Sequence, residues 1–284
     1  MGTTILNKLN KNKNKNNNPI GVLDSGVGGL TVLSRLIKVL PNEGYIYFGD
    51  TKNLPYGNKT PKELFKLVTE ILDFFASKDV KAVVFGCNTT AAAVYEQVKG
   101  LYDFEIYPII QNASAKIEPQ NFKRIGVFAT QATVTSKMYT KSLKKYNPSL
   151  EVFELACPEW VGFVENQKET SQEAILNISK QMEVMKLFSP DKIILGCTHY
   201  PYLLDTLSKF EEKEKFINPA NAFVEYIKED LANKRLLSNE KDSKCQIWVS
   251  KDPQNFLSAG KIFFPEMQLP HLFTSETEIS VVGS

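Results

Sequence analysis

Two segments 110 residues apart repeat one motif: Val83-Val84-Phe85-Gly86-Cys87 and Ile193-Ile194-Leu195-Gly196-Cys197, each a short aliphatic run ending in Gly-Cys. A threonine with a capping signature, Thr60 or Thr170, stands 27 residues ahead of each cysteine. Farther upstream, Ile20-Gly21-Val22-Leu23 has its echo in Ile125-Gly126-Val127-Phe128, and a small polar turn follows each. A period above 100 residues is too long for a solenoid, whose units run to about 50 residues. The repeat therefore means two similar units rather than an array.

Each unit alternates β-branched runs with longer amphipathic ones, the signature of βα units and a parallel sheet. Thr60-Pro61-Lys62-Glu63 offers an N-cap, a proline at the first helical position and a capping-box acid. Leu64, Leu67, Val68, Ile71, Leu72 and Phe75 then share a face, and this helix should end before Lys81. Thr170-Ser171-Gln172-Glu173 reads as a second capping box, opening a helix through Ile175, Ile178, Met182 and Met185. The expected fold is α/β: two similar lobes, each a mainly parallel sheet flanked by helices, pseudo-twofold related, with the active site in the cleft between them. Residues 1–18 form an Asn/Lys-rich extension expected to be disordered. Residues 19–110 with about 219–284 form one lobe, and 111–218 form the other. A final helix after Asn218-Pro219-Ala220, a strand near Gln246 to Val249 and a further helix are assigned to the first lobe.

Composition narrows the chemistry. No run approaches the ~18 apolar residues of a spanning helix, so membrane insertion is excluded. Four of the 34 basic residues lie in the extension, leaving 30 against 32 acids. A body of that charge lacks the basic face that phosphate binding needs, which argues against a nucleic-acid partner. The four cysteines (87, 157, 197, 245) form no CxxC and accompany no export signal, so free thiols in a reducing cytoplasm are expected. With only two histidines, a metal site has too few closely spaced ligands.

In open α/β sheets ligands sit beyond the carboxyl ends of the strands, which is where Asp24, Cys87, Thr130 and Cys197 fall. Two thiols facing one ligand suit a two-base reaction: one removes a proton from a carbon centre, the other replaces it on the opposite face. Cysteine more often packs as a small hydrophobe; the shared Gly-Cys context argues otherwise for Cys87 and Cys197. Cys157 has no counterpart in the first lobe and could line the cleft, whereas Cys245 reads as structural. The turn Asp24 to Gly29 could hold an anion on its backbone N–H groups or simply pack tightly, which leaves nucleotide binding as a second reading. Asp24 is either a turn residue or a carboxylate that exchanges a proton with an ammonium. His199 either serves the Cys197 thiol or caps a helix. Glu165 reads as a surface acid and Pro55-Tyr56-Gly57 as a turn.

Taken together, Asp24-Ser25-Gly26-Val27-Gly28-Gly29-Leu30, Pro55-Tyr56-Gly57, Gly86-Cys87-Asn88-Thr89, the Thr130/Thr133/Ser136 segment, Cys157-Pro158 through Glu165, and Gly196-Cys197-Thr198-His199-Tyr200-Pro201 resemble the glutamate racemases of the aspartate/glutamate racemase superfamily. The resemblance implies cofactor-independent interconversion of L- and D-glutamate for peptidoglycan, without pyridoxal phosphate or metal. It implies Cys87 acting on the D-enantiomer and Cys197 on the L-enantiomer, assisted by Asp24 and His199, with Glu165 near the second thiol. Asp24, Ser25, Pro55, Tyr56, Gly57, Asn88, Thr89, Thr130, Thr133, Thr198 and His199 would hold the substrate. Family members are often homodimers, and aspartate is the alternative substrate. Glu159, Trp160 and Gly162 depart from the usual pattern, in which an apolar pair and a second proline precede the glutamate.

Overall fold

The computed structural model describes residues 15–240, 244–261 and 263–274. Its first half runs β1 (Ile20–Asp24), α1 (Leu30–Val39), β2 (Tyr45–Gly49), α2 (Pro61–Ser77), β3 (Ala82–Phe85), α3 (Asn88–Ala93), α4 (Tyr95–Val98), β4 (Glu105–Pro108) and α5 (Ile109–Lys116). The second runs β5 (Arg124–Ala129), α6 (Gln131–Ser136), α7 (Met138–Lys144), β6 (Glu151–Ala156), α8 (Trp160–Glu165), α9 (Gln172–Phe188), β7 (Lys192–Gly196), α10 (Leu204–Leu207) and β8 (Phe216–Ile217). Then come α11 (Pro219–Asn233), β9 (Cys245–Val249), α12 (Pro253–Gly260) and β10 (His271–Leu272).

The duplication is written in the strand order. One sheet reads β10-β9-β2-β1-β3-β4 and the other β6-β5-β7-β8, so β1, β2, β3 and β4 correspond to β5, β6, β7 and β8. Among the described residues every pairing is parallel. Strands buried on both faces explain the unbroken apolar runs of β1, β3 and β7. The Ile-Gly-Val echo also has a packing reason. A Cβ on Gly21 would lie 2.9 Å from the Phe75 ring on α2, and one on Gly126 would lie 2.4 Å from Met185 Sδ on α9. In both lobes the glycine lets the crossover helix settle onto the first strand.

The α2 capping box forms as expected: Glu63 N donates to Thr60 Oγ1 and Thr60 N donates to Glu63 Oε2. At α9 the cap lies one residue later than expected. Ser171, not Thr170, accepts from Ala174 N, and Ala174 stands where the box needs an acid, so the cap-to-cysteine spacing is 26 in this lobe. Of the extension expected to be disordered, residues 1–14 lie outside the described residues, and in the described remainder Lys15 to Asn17 form a single turn. Asn16 O accepts from Lys81 Nζ, which also pairs with buried Glu43.

The apolar core does not stop at the sheet boundary. Phe223, Val224, Ile227 and Leu231 of α11 join residues of the first sheet to Ile125, Val127 and Ile194 of the second. Helix α11 packs on α5 and α1, and α5 packs on α7. A second core holds Phe128, Trp160, Met185 and Tyr200 behind the other face of β5 and β7. Among the described residues no helix is long and apolar enough to cross a membrane.

Candidate active site

The carboxyl ends of β1, β3, β5 and β7 converge on one narrow cavity of about 40 Å³ between the sheets. Its walls include both Cys87 and Cys197, with Ser25, Pro55, Tyr56, Gly57, Asn88, Thr89, Thr130, Thr198 and His199. Leu54, Asn58, Gln131, Pro158 and Val161 complete the lining and were not among the expected residues. Among the described residues neither Lys nor Arg lines it. Besides the two thiols, its polar groups among the described residues are hydroxyls, amides, backbone and the His199 imidazole. Among the described residues no group of His, Cys, Asp or Glu is placed to hold a metal ion.

Cys87 occupies the N-cap position of α3 without a side-chain capping hydrogen bond, with Thr90 close to its thiol. Burial, with the nearby Asp24 carboxylate adding to it, pushes the Cys87 thiol up to about 12 against the opposing Thr90 contacts. Its Sγ lies 4.0 Å from Ser25 Oγ. Asp24 is fully buried behind the cavity wall. It is fixed by the Gly26 N–H at 2.9 Å and the Thr198 hydroxyl at 3.1 Å. Burial raises its pKa, while the His199 charge and those donors oppose the rise.

Cys197 has a different environment. Its Sγ lies 3.7 Å from His199 Nδ1, and His199 Nε2 lies 2.5 Å from Glu165 Oε1. Burial alone would lower the His199 pKa, but hydrogen bonds and charge from Cys197 and Glu165 carry it well above the ordinary imidazole value. An imidazolium here puts positive charge beside the Cys197 sulfur. Glu165 is thus no isolated surface acid: it ends α8, which Trp160 anchors. The Trp160 ring packs on Phe128 and Tyr200 while its Nε1 donates to Asn177. The departures from the family pattern are accommodated: Trp160 is core, Glu159 is exposed, and a Cβ on Gly162 would meet nothing.

The remaining expected residues divide into wall and support. Thr130 caps α6, accepts from Thr133 N and lies 3.0 Å from Thr89 Oγ1 across the cleft. Thr133 is wholly buried behind it and accepts at Oγ1 from the Thr130 hydroxyl at 3.1 Å, a support rather than part of the wall. Tyr56 donates its hydroxyl to Asp50 Oδ2 at 2.6 Å. Asp50 also accepts from Asn53 and Ser250, and so ties the 55–57 loop to the end of β9. Asp50 was not expected; its signal is a buried acid whose partners are scattered in sequence. Cys157 does not line the cleft. It is fully buried in the second core, where an apolar neighbourhood holds the thiol neutral. All four cysteines are unpaired, Cys245 lying exposed on β9.

The Gly26–Gly29 turn is not an open anion cradle. A Cβ on Gly28 would fall 2.5 Å from His199 Nδ1 and 2.6 Å from Thr198 Oγ1, and one on Gly26 would fall 2.7 Å from Glu165 Oε1. The space a phosphate would need is filled by side chains of the opposite lobe. These glycines bring the groups around Cys197 against Asp24, which disfavours the nucleotide reading.

Comparison with known proteins agrees with this arrangement. Residues 20–227 match the Asp/Glu/hydantoin racemase family model. Glutamate racemase 2 of Caldanaerobacter subterraneus is 42% identical over 86% of this chain and 92% of its own length. The glutamate racemase of Thermoanaerobacter pseudethanolicus is 41% identical, covering 87% and 94%. Among solved structures, the glutamate racemase of Francisella tularensis in complex with D-glutamate superposes with a TM-score of 0.86 at 30% identity, covering 92% of this chain and 99% of that one. By sequence and by fold alike, this chain belongs to the Asp/Glu/hydantoin racemase family of isomerases.

Proposed function

We propose that the chain interconverts L- and D-glutamate by a two-base mechanism, supplying D-glutamate for peptidoglycan in the cytoplasm. The observation that carries this reading is the placement of two thiols, from corresponding positions of the two lobes, on the walls of one cavity. In the L-to-D direction the Cys197 thiolate takes the α-proton. The electron pair left on Cα is held as a carbanion conjugated with the carboxylate, and the Cys87 S–H delivers a proton to the opposite face. The reverse direction exchanges the roles, with the proton count unchanged.

The two environments suit these parts. Cys87, its pKa raised by burial, is a protonated donor at neutral pH. Cys197 has the His199 imidazolium beside its sulfur, itself held by Glu165, so a positive charge stands next to this base. Asp24 exchanges protons with the substrate ammonium or with Cys87. Ser25, Asn88, Thr89, Thr130, Thr198 and the 55–57 backbone hold the carboxylates. Neutral donors pre-aimed in a water-poor cavity stabilise charge developing at Cα without reorganisation, and no pyridoxal phosphate or metal is called for. The relatives named glutamate racemase, and the D-glutamate complex among the similar structures, support glutamate over aspartate.

The substrate is tested by following optical activity of L-glutamate and, separately, L-aspartate with purified protein and no added cofactor. Loss of rotation with glutamate at a much higher kcat/KM than with aspartate is expected. Preferential turnover of aspartate would overturn the substrate assignment.

A further inference from the structure

The residue that follows each catalytic cysteine is held from across the cleft. Thr198, after Cys197, donates to Asp24 of the first lobe. Asn88, after Cys87, accepts at Oδ1 from the hydroxyl of Tyr139, on α7 of the second lobe, at 2.7 Å. Asn88 is 2% exposed and lines the cavity, and its other amide end, Nδ2, is buried with no hydrogen-bond partner. Tyr139 is wholly buried, and Gly196 makes room for it: a Cβ there would fall 2.8 Å from the Tyr139 ring.

We infer that Tyr139 is a positioning residue that fixes which end of the Asn88 amide meets the substrate. An asparagine amide has a donor end and an acceptor end of nearly equal size. With Oδ1 committed to Tyr139, the two N–H bonds of Nδ2 are left for an acceptor in the cavity. Flipped, the amide would turn Oδ1 toward a substrate carboxylate, acceptor against acceptor, and strand the Tyr139 proton. Nδ2 is the end of this buried amide that the protein leaves for a carboxylate, and the bond to Tyr139 holds it there. The partner being a carboxylate rests on the glutamate reading above; the orienting role does not.

The test uses Tyr139→Phe, which deletes one oxygen and keeps the ring, with Asn88→Ala and the double variant. KM for L- and D-glutamate is expected to rise about tenfold in Tyr139→Phe, the size of one lost hydrogen bond to a charged group, with kcat changing far less. In the Asn88→Ala background the same substitution should have no further effect, because the amide it orients is gone. Additive effects in the double variant, or an unchanged KM in a Tyr139→Phe protein of wild-type melting temperature, would overturn the role. A second arm needs no turnover: the Asn88 side-chain NH₂ resonances of ¹⁵N-labelled protein, identified by their loss in Asn88→Ala, should shift in Tyr139→Phe. Unchanged resonances would overturn the proposal. Wild-type protein inert toward glutamate would instead overturn the substrate reading and leave this arm to judge Tyr139.

Discussion

The chemistry of single residues here is set by the neighbours that folding brings against them. His199 is the clearest case, because burial lowers its pKa while Cys197 and Glu165 raise it further than burial lowers it. The sign follows directly: a raised pKa keeps the imidazolium through the range near pH ~6.5 where an ordinary histidine gives up its proton. Activity that depends on it should therefore hold across neutral pH and fall only on the alkaline side. Glu165→Gln removes a charge that holds this proton, so the alkaline fall of kcat/KM should move to lower pH; identical profiles would show that Glu165 does not act through His199. The profile must be the same for both enantiomers, since their equilibrium constant is one. Cys87 and Cys197 were legible in the sequence because Gly-Cys at the end of an aliphatic strand occurs twice. The residues alone left Glu165 as a surface acid, since the docking of Trp160 that carries it to His199 depends on contacts from Phe128 and Tyr200. Asp50 and Tyr139 were not legible at all: Tyr139 acts through one hydrogen bond to Asn88, and Asp50 by joining Tyr56 to Ser250 from the far end of the sequence, and neither leaves a local pattern.

At the scale of elements, local signals were reliable where one residue type has one job. Thr60 could be read as a cap because the acid of its box lies in register at Glu63. At α9, Thr170 and Ser171 are adjacent hydroxyls and only Thr170 has the box acid, Glu173, three residues on, so the local pattern points one residue too early. Tertiary contact settles it: Ala174, Ile178, Met182 and Met185 must face the core. Ser171→Ala should cost about 1 kcal/mol, the usual value of a lost N-cap, in denaturant unfolding, whereas Thr170→Ala should cost far less. Equal losses, or a larger loss at Thr170, would put the cap back at the earlier residue. β10 escaped expectation because two residues carry no periodicity; His271 stacks on Trp248 beside the pairing.

For the whole molecule, the duplication was the informative signal, and the strand orders β2-β1-β3-β4 and β6-β5-β7-β8 are its structural form. Periodicity could not say how the two sheets meet. That depends on α11 and α5, whose apolar faces merge the two halves into one core, and on glycines whose missing side chains admit His199, Thr198 and Glu165. Symmetry of the backbone coexists with asymmetry of the site, a protonated, carboxylate-flanked thiol on one side and an imidazolium-flanked one on the other. The central claim is that each thiol serves one face of the substrate. It is tested most directly by incubating L-glutamate with the wild-type protein in D₂O, stopping early and analysing each enantiomer separately for α-deuterium. Two bases predict deuterium in the D-glutamate formed and almost none in the L-glutamate remaining. Deuterium accumulating in residual L-glutamate as fast as in the product would mean a single base on both faces and would contradict the account.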